Sequence, residues 1–424
     1  MERKEDARAK GWVPAMVKNI ETEHLPNDEN EPEAPGWIFL SELFQQQNPL
    51  YKNMLFLEGY DFTSNIYLIV GESLTIIDPG NDYTAFMQLF QQPEYAPDDI
   101  GKIVLTHGHP DHALGAIELF RYPTVRENPQ LEIILHADGP VELKRIVREF
   151  GVPLTEVRGG ETLDLSGFQW KVIATPGHTI DGISLYHAPT KTLISGDMVP
   201  YSMTAPDREA GGRMDQYLVS MRSLLSLDIA DVLPGHGLPI ASAGKKVLEE
   251  SYRAVLLNIL GSGAEEAPSW LEIASAAANK GLHQDAVICC DIAMAIHPEQ
   301  YRAFKLKAFC LNDLGEYDRA LEAFNLLEKS SPHEKDDVLT IMGRGSSFLG
   351  LGRYDEGLRC FDRVLETMPD NKEALVYKAF AFYLSGRVDE AMQIEEFKKG
   401  FIARFKEELL RYAPSEKTGN TESP

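Results

Sequence analysis

From Trp37 onward, short apolar runs alternate with turn residues, each run about the length of one strand. The runs are NIYLIV, SLTIID, KIVLT, LEIIL, FQWKVIAT, GISLY, TLISGD and ADVLPG. β-branched and aromatic residues crowd them, and Gly or Pro bounds several, as expected of strands that end in loops. Elsewhere the apolar spacing changes to a helical one, in DYTAFMQLF, HALGAIELF and PVELKRIVREF. Strands mixed with helices predict an α/β domain. A further helix is expected from about Ser242 to Leu260, and GSGAEEAPS behind it has linker character.

Beyond that linker the strand pattern stops and a repeat takes over. Gly281, Gly315, Gly352 and Gly386 stand in the related phrases KGLHQDA, LGEYDRA, LGRYDEG and SGRVDEA. Pro298, Pro332 and Pro369 recur near the unit ends. Small residues at Ala274, Ala308, Gly345 and Ala379 would let helices approach closely. Trp270, Phe304, Phe324 and Phe361 would fill the space between them. Residues 265 to 396 resemble the tetratricopeptide (TPR) repeat. The resemblance implies four helix pairs, closed by an amphipathic helix near EEFKKGFIARFKEELLRYA. The second and third units match best; the fourth has Val388 and Glu395 where aromatic residues are usual. Three parts follow: an acidic lead-in over 1–36, an α/β domain over 37–262 and an all-α array over 265–412.

Composition narrows the chemistry. A formal net charge of -24 repels nucleic-acid backbones and disfavours RNA or DNA as substrate. The four cysteines, Cys289, Cys290, Cys310 and Cys360, lie in the helical part without a CxxC pair. They read as free thiols of a reducing compartment. The N-terminus MERKEDARAKGW has no apolar core of a signal peptide, and no run is long and apolar enough to span a membrane. The expected location is cytoplasmic.

The densest chemistry is THGHPDH, residues 106–112, between the strand KIVL and the helix ALGAIELF. In an extended segment, residues two apart point the same way, so His107 and His109 can aim at one ion. The turn into the helix swings Asp111 and His112 toward a neighbouring position. Three further candidates each close a strand in a Gly-containing loop: His178 in TPGHT, Asp197 in SGDM and His236 in LPGHG. Imidazole and carboxylate donors suit zinc, iron or manganese rather than calcium.

The ordered motifs HxHxDH, GHT, GD and GH resemble the metallo-β-lactamase superfamily, and within it the glyoxalase-II-like hydrolases. NIYLIV followed by SLTIIDPG matches the opening strands, with Asp78 in its usual place. The resemblance spans about residues 37 to 260 and implies an αββα sandwich with two divalent metal ions at one edge, zinc first among them, with iron or manganese as alternatives. His107, His109 and His178 would hold one ion and Asp111, His112 and His236 the other, with Asp197 bridging. A hydroxide shared by the ions would attack an ester, thioester or lactone-type carbonyl, and Asp111 would orient it and pass on its proton. Glyoxalase-II enzymes hold glutathione with basic residues of a C-terminal helical extension. Here the repeat array takes that position, and no matching basic cluster is found.

Around this set, Asp78 is expected to steady a ligand histidine. Thr106 and Thr179 read as loop caps, His136 and His187 as structural or surface groups, Tyr201 as structural, and Arg208 and Arg213 as solvated loop charges. The expected partners are a small-molecule substrate at the metals and a protein or peptide in the groove of the array. Two alternatives differ in class: a scaffold whose hydrolase domain is a passenger, and a phosphodiesterase or ribonuclease of the same superfamily.

Overall fold

A computed structural model describes residues 36–60, 62–81, 83–201, 205–261 and 268–412. The lead-in expected over 1–36 lies outside the described residues except for Gly36, and so does the linker at 262–267. The chain divides into two compact units. The first comprises residues up to Ala174, Asp181–Gly196 and Ile229–Ser242; the second comprises Thr175–Ile180, Asp197–Asp228 and everything from Ala243 onward.

The first unit contains two sheets. The larger runs in sequence order through β1 (Ile38–Phe39), β2 (Met54–Leu57), β3 (Ile66–Val70), β4 (Leu74–Ile77), β5 (Ile100–Val104), β6 (Glu132–His136) and β7 (Leu154–Val157). β1 to β4 pair antiparallel and β4 to β7 parallel. The smaller sheet contains β8 (Thr162–Leu165), β9 (Phe168–Ala174), β10 (Ile183–His187), β11 (Thr192–Gly196) and β12 (Asp231–Pro234), in the order β12-β11-β10-β9-β8.

Alternation along the strands builds two cores. Phe56, Tyr67, Ile69, Ile77, Val104 and Ile134 face Trp170, Val172, Ile183, Leu185 and Leu233 of the smaller sheet. Leu55, Leu57, Leu68, Ile76, Ile103 and Ile133 point the other way. They pack under helices α1 (Pro110–Phe120) and α2 (Val141–Glu149), through Ala113, Ala116, Phe120, Leu143 and Val147. A sheet covered on both faces needs apolar residues at every position, which is why these strands read as unbroken apolar runs.

The second unit is helical. It contains α3 (Met214–Leu225) and α4 (Gly244–Leu260), and then the repeats as helix pairs. The pairs are α5 (Trp270–Asn279) with α6 (His283–Ile296), α7 (Tyr301–Asp313) with α8 (Tyr317–Ser330), α9 (Val338–Gly350) with α10 (Tyr354–Thr367), and α11 (Lys372–Leu384) with α12 (Val388–Met392). Helix α13 (Glu395–Tyr412) follows. The four repeat glycines stand in the turns within the pairs. Ala274, Ala308 and Ala379 are fully buried, as are Phe324 and Phe361, while Trp270 and Phe304 are half-buried. The fourth pair, weakest in sequence, has a second helix of only 5 residues. Cys289, Cys290, Cys310 and Cys360 are free thiols, and burial pushes the Cys310 thiol up to about 11. The expected fold class, an α/β sandwich followed by an all-α solenoid, is the one observed. Four strands, β1, β2, β7 and β8, and the helix α3 were not expected from the sequence.

Candidate metal centre

The loop between β5 and α1 carries the densest cluster, all of it within the first unit. His107 Nε2 lies 3.0 Å from His109 Nδ1. The backbone joining them runs so close to Pro140 that a Cβ on Gly108 would stand 2.2 Å from its Cδ, so only glycine fits. Pro110 then opens α1 at a position that tolerates a missing N–H. Asp111 and His112 follow on the first turn. Asp111 Oδ2 is 3.6 Å from His112 Nε2 and 3.1 Å from His236 Nε2. Their donor atoms all lie within 4.8 Å of one another. His112 is fully buried, whereas the Asp111 and His236 side chains are partly open to solvent.

Asp78 directly follows β4 and holds this group in place. Its Oδ2 accepts from His112 Nδ1 at 2.9 Å and from the Thr106 hydroxyl at 2.7 Å. Its Oδ1 accepts from the Thr106 amide at 2.7 Å. With Nδ1–H committed to a carboxylate, the ring presents the Nε2 lone pair toward Asp111 and His236. Thr106 is therefore more than the expected loop cap: it anchors the orienting carboxylate through both its amide and its hydroxyl.

The loop of His236 is clamped by Asn65 and Tyr67, neither of which stands in one of the ligand motifs. Asn65 Nδ2 donates to the carbonyls of Pro234 at 2.9 Å and Gly237 at 2.6 Å, and its amide donates to that of Gly235 at 2.7 Å. The Tyr67 hydroxyl donates to the Pro234 carbonyl at 2.7 Å. The Ser64 amide also donates to the Asp111 carbonyl at 3.0 Å. The one signal in the sequence is a polar Asn65 heading a buried strand, 169 residues from its acceptor Pro234.

The other two candidates lie in the second unit. His178 Nε2 is 3.5 Å from Asp197 Oδ2. His178 Nδ1 donates to the Ala205 carbonyl at 2.7 Å, which fixes the tautomer with the lone pair on Nε2. The chemistry of the donor set, imidazole nitrogens and carboxylates without sulfur, fits a divalent transition ion.

The remaining expectations fall on structural residues. The Tyr201 ring packs on Tyr217 with centroids 5.1 Å apart, and its amide bonds Ser251 Oγ. Arg213 forks onto Asp215, and Arg208 lies in an exposed turn. His136 Nδ1 accepts the Asp138 amide, and the His187 ring sits against Phe168 and Trp170. Burial holds His187 below the ordinary imidazole value.

Residues 59–236 match the model of the Metallo-beta-lactamase superfamily, and residues 342–396 match a tetratricopeptide repeat model. A probable metallo-hydrolase of Methanocaldococcus jannaschii is 27% identical over 201 residues, covering 43% of this chain and 92% of the relative. Metallo-beta-lactamase domain-containing protein 1 of Xenopus laevis is 30% identical over 190 residues, covering 41% and 71%. Hydroxyacylglutathione hydrolase of Yersinia enterocolitica is 33% identical over 134 residues, covering 31% and 45%.

Proposed function

Because the chain belongs to the metallo-β-lactamase superfamily, we propose that it is a two-metal hydrolase of an ester, thioester or lactone-type carbonyl. His107, His109 and His178 would hold one ion and Asp111, His112 and His236 the other, with Asp197 as the carboxylate shared between them. The observation that carries the reading is the convergence of Asp111, His112 and His236 on one point, with His112 locked in the ligating tautomer by Asp78. Two divalent ions supply an ionised water at neutral pH and a Lewis acid for the carbonyl.

The chain's own residues do the rest. Asp78 and the Ala205 carbonyl hold the Nδ1 protons of His112 and His178, so that each ring carries its lone pair on Nε2 and would ligate through it. Asp111, partly open to solvent, orients the attacking water, takes its proton and returns it to the leaving group. No serine or cysteine nucleophile is required. The Yersinia enterocolitica relative is named for hydroxyacylglutathione, an acyl thioester, which favours a carbonyl over phosphorus as electrophile. The TPR repeats take a protein or peptide partner, because stacked helix pairs leave a concave groove.

The test is a hydrolysis screen of metal-loaded protein over thioesters, lactones, β-lactams and phosphodiesters, repeated on Asp197→Ala. A bridge sets the separation of two cations, so its loss should abolish turnover while circular dichroism stays unchanged. Arg353→Ala, in the third repeat, should keep near-normal turnover. Near-normal activity in folded Asp197→Ala would refute a bridged centre.

A further inference from the structure

Helix α3 carries none of the candidate ligands, yet it braces both ligand loops of its unit. The Tyr217 hydroxyl donates to the Met198 carbonyl at 2.6 Å and lies 3.4 Å from that of Asp197. Ser220 Oγ donates to the Pro176 carbonyl at 2.7 Å. The amide of Arg213, capping α3, donates to the Gly177 carbonyl at 2.9 Å. Gly177, at φ +153°, runs so near the helix that a Cβ there would stand 2.5 Å from Tyr217 Cα. Backbone just before His178, and at and just after Asp197, is thus fixed to one helix.

The far end of that helix is held by the repeat array. Arg222, in the last turn, donates Nε to Asp285 Oδ1 at 2.7 Å and Nη2 to Oδ2 at 2.5 Å. The Tyr252 hydroxyl of α4 also donates to Oδ1, at 2.7 Å. Asp285 is fully buried in the first turn of α6, where the helix dipole favours a carboxylate. Burial, reinforced by the charge of Asp285, keeps Tyr252 protonated far above the ordinary phenol value. The same repeat position, four residues after the turn glycine, holds Arg319, Glu356 and Glu390 in the later units. The first two pair within their own helix end and the third is exposed. Only the first repeat puts a buried acid there, and that acid grips α3.

We propose that the Asp285–Arg222 pair is a positioning device, through which the first repeat fixes the loops of His178 and Asp197. This rests on the two-metal reading for its consequence, though the mechanical coupling stands apart from it. Removing one partner of a buried, forked pair leaves the other charge uncompensated and loosens what it held. The array is then a structural governor of the metal site as well as a docking surface.

The test uses the full chain with Asp285→Asn, which keeps shape and a partner for Tyr252, and Arg222→Lys, which keeps charge without the fork. Amide hydrogen exchange should speed up about tenfold at residues 176–180 and 197–201 in Asp285→Asn, and less in Arg222→Lys. Exchange at 107–112 should not move, and Arg353→Ala should change none of these segments. In cobalt-loaded protein the visible bands should shift in Asp285→Asn alone of the Asp285 and Arg353 variants. Unchanged exchange in both loops, or faster exchange confined to 283–296, overturns the proposal. Exchange is read without metal, so a wild-type chain that takes up no cobalt would overturn the two-metal reading and leave the coupling result standing.

Discussion

At the scale of single residues, His112 shows how an imidazole in a core is made into a donor. Its ring is fully buried, and Asp78 commits one nitrogen so that the other points at Asp111 and His236. Removing that carboxylate frees the tautomer and the ring. Asp78→Ala should therefore weaken metal affinity about 10–100-fold in a chelator competition, at unchanged secondary structure. Equal affinity would show that Asp78 is only a turn residue. A second prediction concerns His187, which burial holds below its ordinary value of 6.5. The unfolded chain takes up the proton more readily than the folded one, so this residue costs stability as pH falls below about 6.5. Urea midpoints of His187→Gln should fall less between pH 7 and 5 than those of the wild type; parallel losses would contradict it. The ligand candidates were legible because four of the seven sit within THGHPDH and the others end in glycine loops. Asn65, Thr106 and Tyr217 were not, because their partners lie far along the chain and no local pattern announces them.

At the scale of elements, apolar patterning found β3 to β6 and β9 to β12 but not β2, a four-residue strand buried throughout in both cores. It missed β7 and β8, whose burial is too patchy for either period to show: LTEV and TLDL each bury one residue fully. Helix α3 does carry a helical stripe, Tyr217, Leu218, Met221 and Leu224, all buried. It follows the Gly- and Pro-containing loop TAPDREAGGR, which hides the stripe's start. The repeat was legible because its period recurs four times, and the fourth unit's poor match corresponds to its truncated second helix. Phe361 is fully buried against Ile341, Met342 and Val364. Phe361→Ala should cost about 3–5 kcal/mol of local stability, read as an earlier melting of the repeats with the sheets unaffected. Simultaneous loss of the sheets would mean that the chain melts as one cooperative body.

At the scale of the whole molecule, the division into 37–262 and 265–412 is a proposal about autonomous folding. Both sandwich cores are complete before residue 243, which supports it. Residues 1–260 alone should stay soluble and take up metal, with weaker retention than the full chain because Asp285 is lost; an insoluble fragment would make the array part of the catalytic core. Among the described residues no helix is long and apolar enough to cross a membrane. What separates a hydrolase from a scaffold with a passenger domain is the metal itself. The most direct measurement is elemental analysis of the purified, metal-loaded full chain. The account predicts two zinc, iron or manganese ions per chain and a clear deficit in Asp197→Ala. A wild-type chain that binds none after careful loading would contradict it.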